Sequence, residues 1–587
     1  MTVQPKRDSF VAAVYSLALS ALILGPLFGS GYLLLRDAVS TPRSYLTDSA
    51  LGLTDAAARA VPQDALIAAL STVVDGGLVV KALLFAALWL AGWGAARMVA
   101  VLLPTAGLGP QLVASTVILW NPYVAERLLQ GHWSLLAGYG ALPWIVCAGI
   151  GVRREIPGSW WALAAALAFA GLTPTGALLG LTTAVVVVAS PGGQSPVLRR
   201  LSGVGALFLI AASPWLTATL LSESVGDGSD PAGVAAFAAR AEPGLGTLGS
   251  LAGLGGVWNS AAVPATRATL FALVGTVLLL ILVLSGIPAL WRRRRNPVIA
   301  ALGLLALAAV LVPALGATPW GLDVGRWSVE SFSGAGLLRD SQKWVALAAP
   351  FYALSAAAAV MWAQQRFPLP RPSWSIAAVV VTILALPDLV WGVGGALKPV
   401  TYPQSWTTVS EQLKGEQLKG GQLRAESGDV AVLPAGMFRA FTYSGDAPVL
   451  DPAPRFLPLD VPQTGRLIVA GGTVGGEGTR AGQVENLLLS GGGSAELAAL
   501  GIGWVVVERD TPGQFDESSL HDLEKVFADN YLELYRVPGD IAVHQASSIA
   551  RASVIIAHLA WVLMGIVALL SIGLHKKRIR LARRNQT

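Results

Sequence analysis

Apolar residues fall along this chain in long runs divided by short polar loops, and most runs match the length of a membrane-crossing helix. A bilayer core takes about 20 apolar residues per helix. About twelve stretches meet or approach that length. They are Phe10 to Leu35, then 78–102, 109–122, 134–152, 159–172 and 174–190, then 202–221, 268–290, 298–316, 344–363 and 375–395, and finally 551–573. The first outlasts the apolar region of a secretion signal and no clear cleavage site follows, so it reads as a retained span. One long stretch breaks the pattern. Residues 396–549 are polar, Gly-rich and mixed in charge, with strand-like runs Val430–Leu433, Trp504–Glu508 and Tyr531–Val537. Helix-like stretches lie between them at Ala495–Leu500 and Leu520–Asp529. The expected fold is an all-α polytopic membrane protein of about twelve helices with a small extracytoplasmic α/β domain. Its parts are a membrane module over 1–395, the α/β domain over 396–549, and a last span with a basic tail over 550–587.

Composition sharpens this picture. Hydrophobic residues make up 54% and charged residues 13%, about half the share usual in soluble proteins. A soluble enzyme, a disordered chain and a nucleic-acid binder are all disfavoured. The formal charge of +6 then reports topology. Lys6, Arg7, Arg97, Arg153, Arg154, Arg199, Arg200, Arg292 to Arg295, Arg366, Arg371 and the tail from Lys576 to Arg584 fall on one side if there are twelve spans. The positive-inside rule makes that side cytoplasmic, with both termini inside and 396–549 outside. The opposite loops are more acidic: 36–77 carries Asp37, Asp48, Asp55, Asp64 and Asp75, and 222–266 carries Glu223, Asp227, Asp230 and Glu242. A single cysteine, Cys147, excludes an internal disulfide, and five scattered histidines offer no metal-ligand spacing. No cofactor is expected, although the sequence leaves a divalent ion open.

Charged residues beside a membrane wall carry the candidate chemistry. Asp37 follows the first span directly, where a carboxylate can deprotonate a hydroxyl or simply be a solvated helix end. The next such loop, Asn121-Pro122-Tyr123-Val124-Ala125-Glu126-Arg127-Leu128-Leu129-Gln130-Gly131-His132-Trp133, opens on a helix-stop signal and concentrates Glu126, Arg127 and His132. Helical spacing puts Tyr123, Arg127 and Gln130 on one face; the plainer reading is an interfacial helix with a snorkelling arginine. A third segment reads Leu337-Leu338-Arg339-Asp340-Ser341-Gln342-Lys343-Trp344. Arg339 and Lys343 are four apart and expected to share a helical face, suited either to a lipid phosphate or to anchoring the helix. Lys81 and Asp388 read as charges in or near spans, functional or snorkelling. The Gly471–Gly478 and Gly491–Gly493 stretches read as loops, without the lysine and strand-to-helix context of a phosphate loop.

An acid after span one, an Asn-Pro-Tyr-Val-x-Glu-Arg-Leu loop and an Arg-Asp-x-x-Lys-Trp entry to a late span resemble the GT-C polytopic membrane glycosyltransferases of mycobacteria and their relatives. The likeness is strongest to the membrane part of the D-type arabinofuranosyltransferase. It implies transfer of an arabinofuranosyl or mannosyl unit from a polyprenyl-phosphate donor to a cell-envelope glycan or glycolipid at the external face. It further implies Asp37 as catalytic base. Arg339, Lys343 and Arg127 would bind the donor phosphate, and Tyr123, Glu126, His132 and Asp340 the substrate. Many members pair two acids in the first loop; here the next is Asp48, eleven residues on. The rival expectation is a non-enzymatic transporter or scaffold for envelope assembly, which would need no such base.

Overall fold

A computed structural model describes residues 4–222, 229–332, 334–417, 427–469, 472–513 and 515–584. Glu223, Asp227, Gly471 and the side chains of Lys6 and of the basic tail from Lys576 lie outside the described residues. A helix stands at each of the twelve expected positions. Among the described residues, seven are long and apolar enough to cross a membrane: Gly76–Leu102, Leu135–Arg153, Val197–Leu221, Phe271–Trp291, Pro297–Gly316, Ser341–Arg366 and Ser548–His575. An eighth arises if Arg371–Leu384 and Pro387–Gly395, bent by 80° at their junction, are one span. Leu108–Leu119, Ser159–Ala170 and Pro174–Ala189 are shorter, and Gln4–Ile23 opens on Lys6-Arg7-Asp8. The chain is thus a multi-pass membrane protein.

Burial sorts these helices. Leu135–Arg153 and Ser341–Arg366 are 89% buried over their apolar windows, against 17% for Ser548–His575 and 28% for Val197–Leu221. The first two form the middle of the bundle; the others turn apolar surface outward, as a lipid-facing helix does. Small residues let the central helices touch. A Cβ on Gly140 would stand 2.3 Å from the Ala87 carbonyl oxygen, so Leu135–Arg153 can approach Gly76–Leu102 this closely only with glycine there.

The first span departs from expectation. It does not continue from Phe10 to Leu35: the helix ends at Ile23, a 3-10 turn follows at Gly25–Phe28, and Tyr32–Leu35 is a strand. Pro26 withholds a backbone N–H, and Gly31 turns with φ +106° directly against Val400. Periodicity alone cannot separate a short, fully apolar strand from a helix. That strand pairs antiparallel with Ala38–Val39 and with Pro399–Val400. Asp37 therefore sits in the tip of a hairpin, not at the end of a helix.

The polar region is built on a four-stranded sheet in the order Glu524–Ala528, Leu532–Arg536, Ile502–Glu508, Asp429–Leu433, with only the last pair parallel. The three expected strands are present. The helix expected over Leu520–Asp529 is instead a 3-10 turn, Glu517–Leu520, and a strand, Glu524–Ala528. Asp529 Oδ1 accepts from the backbone N–H groups of Tyr531 and Leu532, both at 2.8 Å, and this Asx turn folds the chain back as a hairpin. Part of the expected Gly471–Gly478 loop is also a strand, Gly472–Val474, paired with Leu467–Val469. Helices Thr479–Leu489 and Ser494–Ala499 cover one sheet face through Val484, Leu488 and Leu497. On the other face Leu34 and Val39 share a core with Trp406, Phe456 and Trp504. Asp64 pairs with Arg455 at 3.0 Å, and Asp48 with Arg551 at 2.6 Å. The first long loop is thus packed into this α/β layer as one of its parts.

Candidate active site

Three segments distant in sequence converge at the inner edge of the α/β layer. Asn121 starts the Pro122–Gln130 helix: its side chain accepts from the Val124 N–H at 3.1 Å, and proline at the first helical position loses nothing by lacking a donor. Gly131 ends the helix at φ +86°. A Cβ on Gly131 would stand 2.2 Å from the Ala38 nitrogen and 2.9 Å from that of Asp37, so only glycine lets the hairpin tip dock here. The Asp37 N–H donates to the Gln130 carbonyl at 3.2 Å. Arg36 holds φ +47° and reaches the Leu129 carbonyl at 2.7 Å, which locks the tip from the other side.

The Asp37 carboxylate is a third exposed. Its Oδ2 accepts from His132 Nε2 at 3.0 Å and from Gln130 Nε2 at 3.1 Å. Arg127 contacts the other ring nitrogen, Nδ1, at 2.9 Å. Arginine can only donate, so Nδ1 accepts, the ring is neutral, and its proton is on Nε2 facing Asp37. Burial lowers the His132 pKa; the hydrogen bond to Asp37 pulls it up, the Lys343 and Arg127 charges push it down, and the net shift is downward. Burial alone would raise Asp37, but the hydrogen bonds from His132 and Gln130 and the Lys343 charge hold it below the usual carboxylate range. Asp37 is an ionised, oriented carboxylate.

Behind it lies a buried anchor. Arg127, fully buried, grips Asp340 with a fork of 2.7 and 3.1 Å and also donates to Gln342 Oε1. Burial would raise Asp340, but Arg127 and Lys343 bring it well below the ordinary range. Lys343 Nζ is 3.7 Å from Asp340 Oδ2 and a quarter exposed. Tyr123 stacks on Tyr139 at 5.2 Å, lies under the Arg127 guanidinium, and donates to the Lys343 carbonyl at 3.1 Å. Glu126 points away from this opening: it accepts from the Gly256 and Val257 N–H groups, each at 3.1 Å, and from Gln342 at 3.2 Å. Burial and the nearby Glu242 push its carboxyl well above the ordinary range.

Asp37, Arg127, His132, Asp340 and Lys343 therefore form one connected set, with Tyr123 and Glu126 as its buried supports. Arg339 does not share a helical face with Lys343. Ala335–Leu338 and Ser341–Ala348 are separate 3-10 turns, and Asp340 between them has ψ 80°. The Arg339 guanidinium lies 5.4 Å over the Phe237 ring. Asp48, the next acid of the first loop, is bound to Arg551 and to the Ala546 N–H, a structural contact. Lys81 donates to the Gly29 carbonyl at 2.8 Å and Asp388 accepts from the Thr266 N–H at 2.6 Å, so both charges are tied to backbone. Gln342 and Arg59 carry no local signal in the sequence that marks them as part of this cluster; Arg59 pairs with Glu477 at 2.7 Å, and its charge reaches both Arg339 and Lys343. Among the described residues no cluster of three His, Cys, Asp or Glu side chains could hold a metal.

No family model and no curated protein matches the chain. Two cryo-EM classes of the arabinofuranosyltransferase AftD from Mycobacteria do match in fold. The first has TM-score 0.56 and 16% identity, covering 92% of this chain and 42% of that one. The second has TM-score 0.54 and 15% identity, covering 91% and 42%. This chain thus spans less than half the length of the enzyme it resembles. Its fold is similar to part of a mycobacterial arabinofuranosyltransferase, the likeness to which the Asn-Pro-Tyr and Arg-Asp-x-x-Lys-Trp segments point.

Proposed function

We propose that the protein is a membrane glycosyltransferase that moves an arabinofuranosyl or mannosyl unit from a polyprenyl-phosphate donor to an envelope glycan or glycolipid outside the cell. The observation that carries this reading is the Asp37 carboxylate, oriented by a neutral His132 and by Gln130 beside the Lys343 ammonium. Both protein bonds fall on Oδ2; among the described residues no hydrogen bond occupies Oδ1, which is left for an acceptor hydroxyl. In the reaction the bond from the anomeric carbon to the phosphate oxygen breaks and its electron pair leaves with the polyprenyl phosphate. The acceptor oxygen bonds to the same carbon and its proton passes to Asp37. An oxocarbenium-like transition state makes that hydroxyl acidic as the new bond forms, so a carboxylate of low pKa suffices as base. Lys343 would neutralise the departing phosphate, with Arg127 and Asp340 fixing its position and Arg339 and Arg59 adding positive potential.

A charge-assisted hydrogen bond is worth about 1.5–3 kcal/mol. Lys343→Gln should therefore raise the donor KM by roughly 10- to 100-fold. Arg339→Gln should do less, because its guanidinium rests on Phe237. A donor KM unchanged in the double variant, measured on purified protein in liposomes, would reduce both cations to anchors.

Orientation has its own test. With Cys147 replaced, a cysteine at the exposed position Glu411 should react with an impermeant maleimide on intact cells. The neighbouring Ser410 is buried and would be a poor reporter. Labelling only after lysis would put the polar layer in the cytoplasm and overturn an external reaction.

A further inference from the structure

A cavity of about 90 Å³ lies between residues 44–64 and the α/β layer. One water needs only about 10–15 Å³, so this chamber has room for several waters and is more than a packing defect. Its floor includes Val39 and Trp133. Val39 is two residues from Asp37, and Trp133 directly follows His132. The chamber therefore rests on the same two chain segments that bring the carboxylate and the imidazole together. The 44–64 segment that walls it also carries Arg59, which pairs with Glu477 at 2.7 Å.

The lining specifies a ligand class. Among the described residues its charged lining is Asp64 and Arg455, which pair at 3.0 Å and cancel. A phosphate would find no net positive charge, and a polyprenyl chain would face a carboxylate, a guanidinium and an amide. Asp64 and Arg455 nonetheless offer adjacent acceptors and donors of the kind that vicinal hydroxyls match. Gln463 also lines the chamber, and its side-chain amide is of a kind that can both donate and accept. Tyr45, with the Arg43 guanidinium 5.2 Å over its ring, and the largely buried Trp133 add aromatic residues to the lining, a type that suits the apolar face of a sugar. Apolar walls with a few convergent polar groups are the usual make-up of a small-molecule site. We propose that this chamber receives the terminal, uncharged sugar ring of the glycan acceptor and delivers its hydroxyl toward Asp37. The assignment rests on the transferase reading above.

The test is binding without turnover. Full-length protein in nanodiscs, with no donor present, is titrated calorimetrically with an octyl-linked arabinofuranosyl disaccharide and with an octyl-linked mannosyl disaccharide. Wild type should bind one of them. Ala57→Leu, which fills the chamber without touching a charge, should weaken that binding by roughly tenfold or more, and Gln463→Ala should weaken it by several-fold. Thermal unfolding controls for folding; if Ala57→Leu is destabilised, Gln463→Ala, which adds no bulk, decides. Wild-type affinity in both variants overturns the assignment, as does wild type binding neither glycoside. A failure of the transferase reading itself would be seen separately, as absent sugar transfer by wild-type protein that still binds the glycoside in a manner sensitive to Ala57.

Discussion

Asp37→Asn should leave the protein folded and able to bind donor while sugar transfer falls by about 10²-fold or more. The substitution keeps the shape of the side chain and removes its basicity. The hairpin tip is held by backbone and by Arg36, through Gln130, Leu129 and Gly131, so the asparagine should stay in place. Asp48→Asn is the informative comparison. Asp48 is committed to Arg551 and the Ala546 N–H, so its loss should lower thermal stability and spare turnover. The wild-type pH profile offers a cross-check. His132 must stay neutral to accept from Arg127, and its pKa lies below the ordinary 6.5. Activity should therefore hold as pH falls to 6.5 and decline only below it, where His132 takes up a proton and the Arg127 contact breaks. The assay is transfer from a polyprenyl-phospho-sugar in liposomes. Near-normal transfer by Asp37→Asn with a dead Asp48→Asn would move the base to Asp48; normal transfer by both would remove these acids from the mechanism.

Arg127→Gln is expected to cost both stability and activity. Removing one partner of a buried ion pair typically destabilises by about 3–5 kcal/mol, because the other charge stays buried without compensation. Here Asp340 would lose its fork, Gln342 its donor and His132 the contact that sets its tautomer. Lysine cannot rescue this, since the three N–H groups of one compact ammonium cannot replace four hydrogen bonds directed by a planar fork to three residues. Replacing both partners, as Arg127→Met with Asp340→Leu, should recover much of the stability, because neither member of the buried fork is left charged without the other, and Lys343, a quarter exposed, keeps water. It should not recover turnover, because Lys343 and His132 lose the groups that hold them. Unfolding midpoints in detergent separate the two effects. Wild-type stability in Arg127→Gln would mean that the buried fork carries no energetic weight.

Most of the membrane module could be read one segment at a time. Runs such as 268–290 and 298–316 are apolar throughout, and in a bilayer a lone segment of that kind has only the helix to satisfy its backbone. Observed helices Phe271–Trp291 and Pro297–Gly316 match them closely. Tyr32–Leu35 failed for the same reason that these succeeded: apolar composition reports burial and not conformation. Its pairing partner at Pro399–Val400 is more than 360 residues away, beyond the reach of local pattern. Leu520–Asp529 failed because an Asx turn at Asp529 outweighed its helical pattern.

The sequence by itself determined a polytopic membrane protein, the positions of its apolar helices, the polar region with its main strands, and the residues rich in candidate chemistry. These follow from composition and from hydrophobic runs, which each segment expresses alone. Only the tertiary structure decided how the candidates are grouped. It set His132 between Asp37 and Arg127, bound Arg127 to Asp340 across more than two hundred residues, turned Glu126 toward Gly256, and separated Arg339 from Lys343. Those distinctions rest on hydrogen-bond directions and on a glycine-permitted contact at Gly131. Such contacts join groups far apart along the chain, and their geometry exists only once the bundle and the α/β layer have packed.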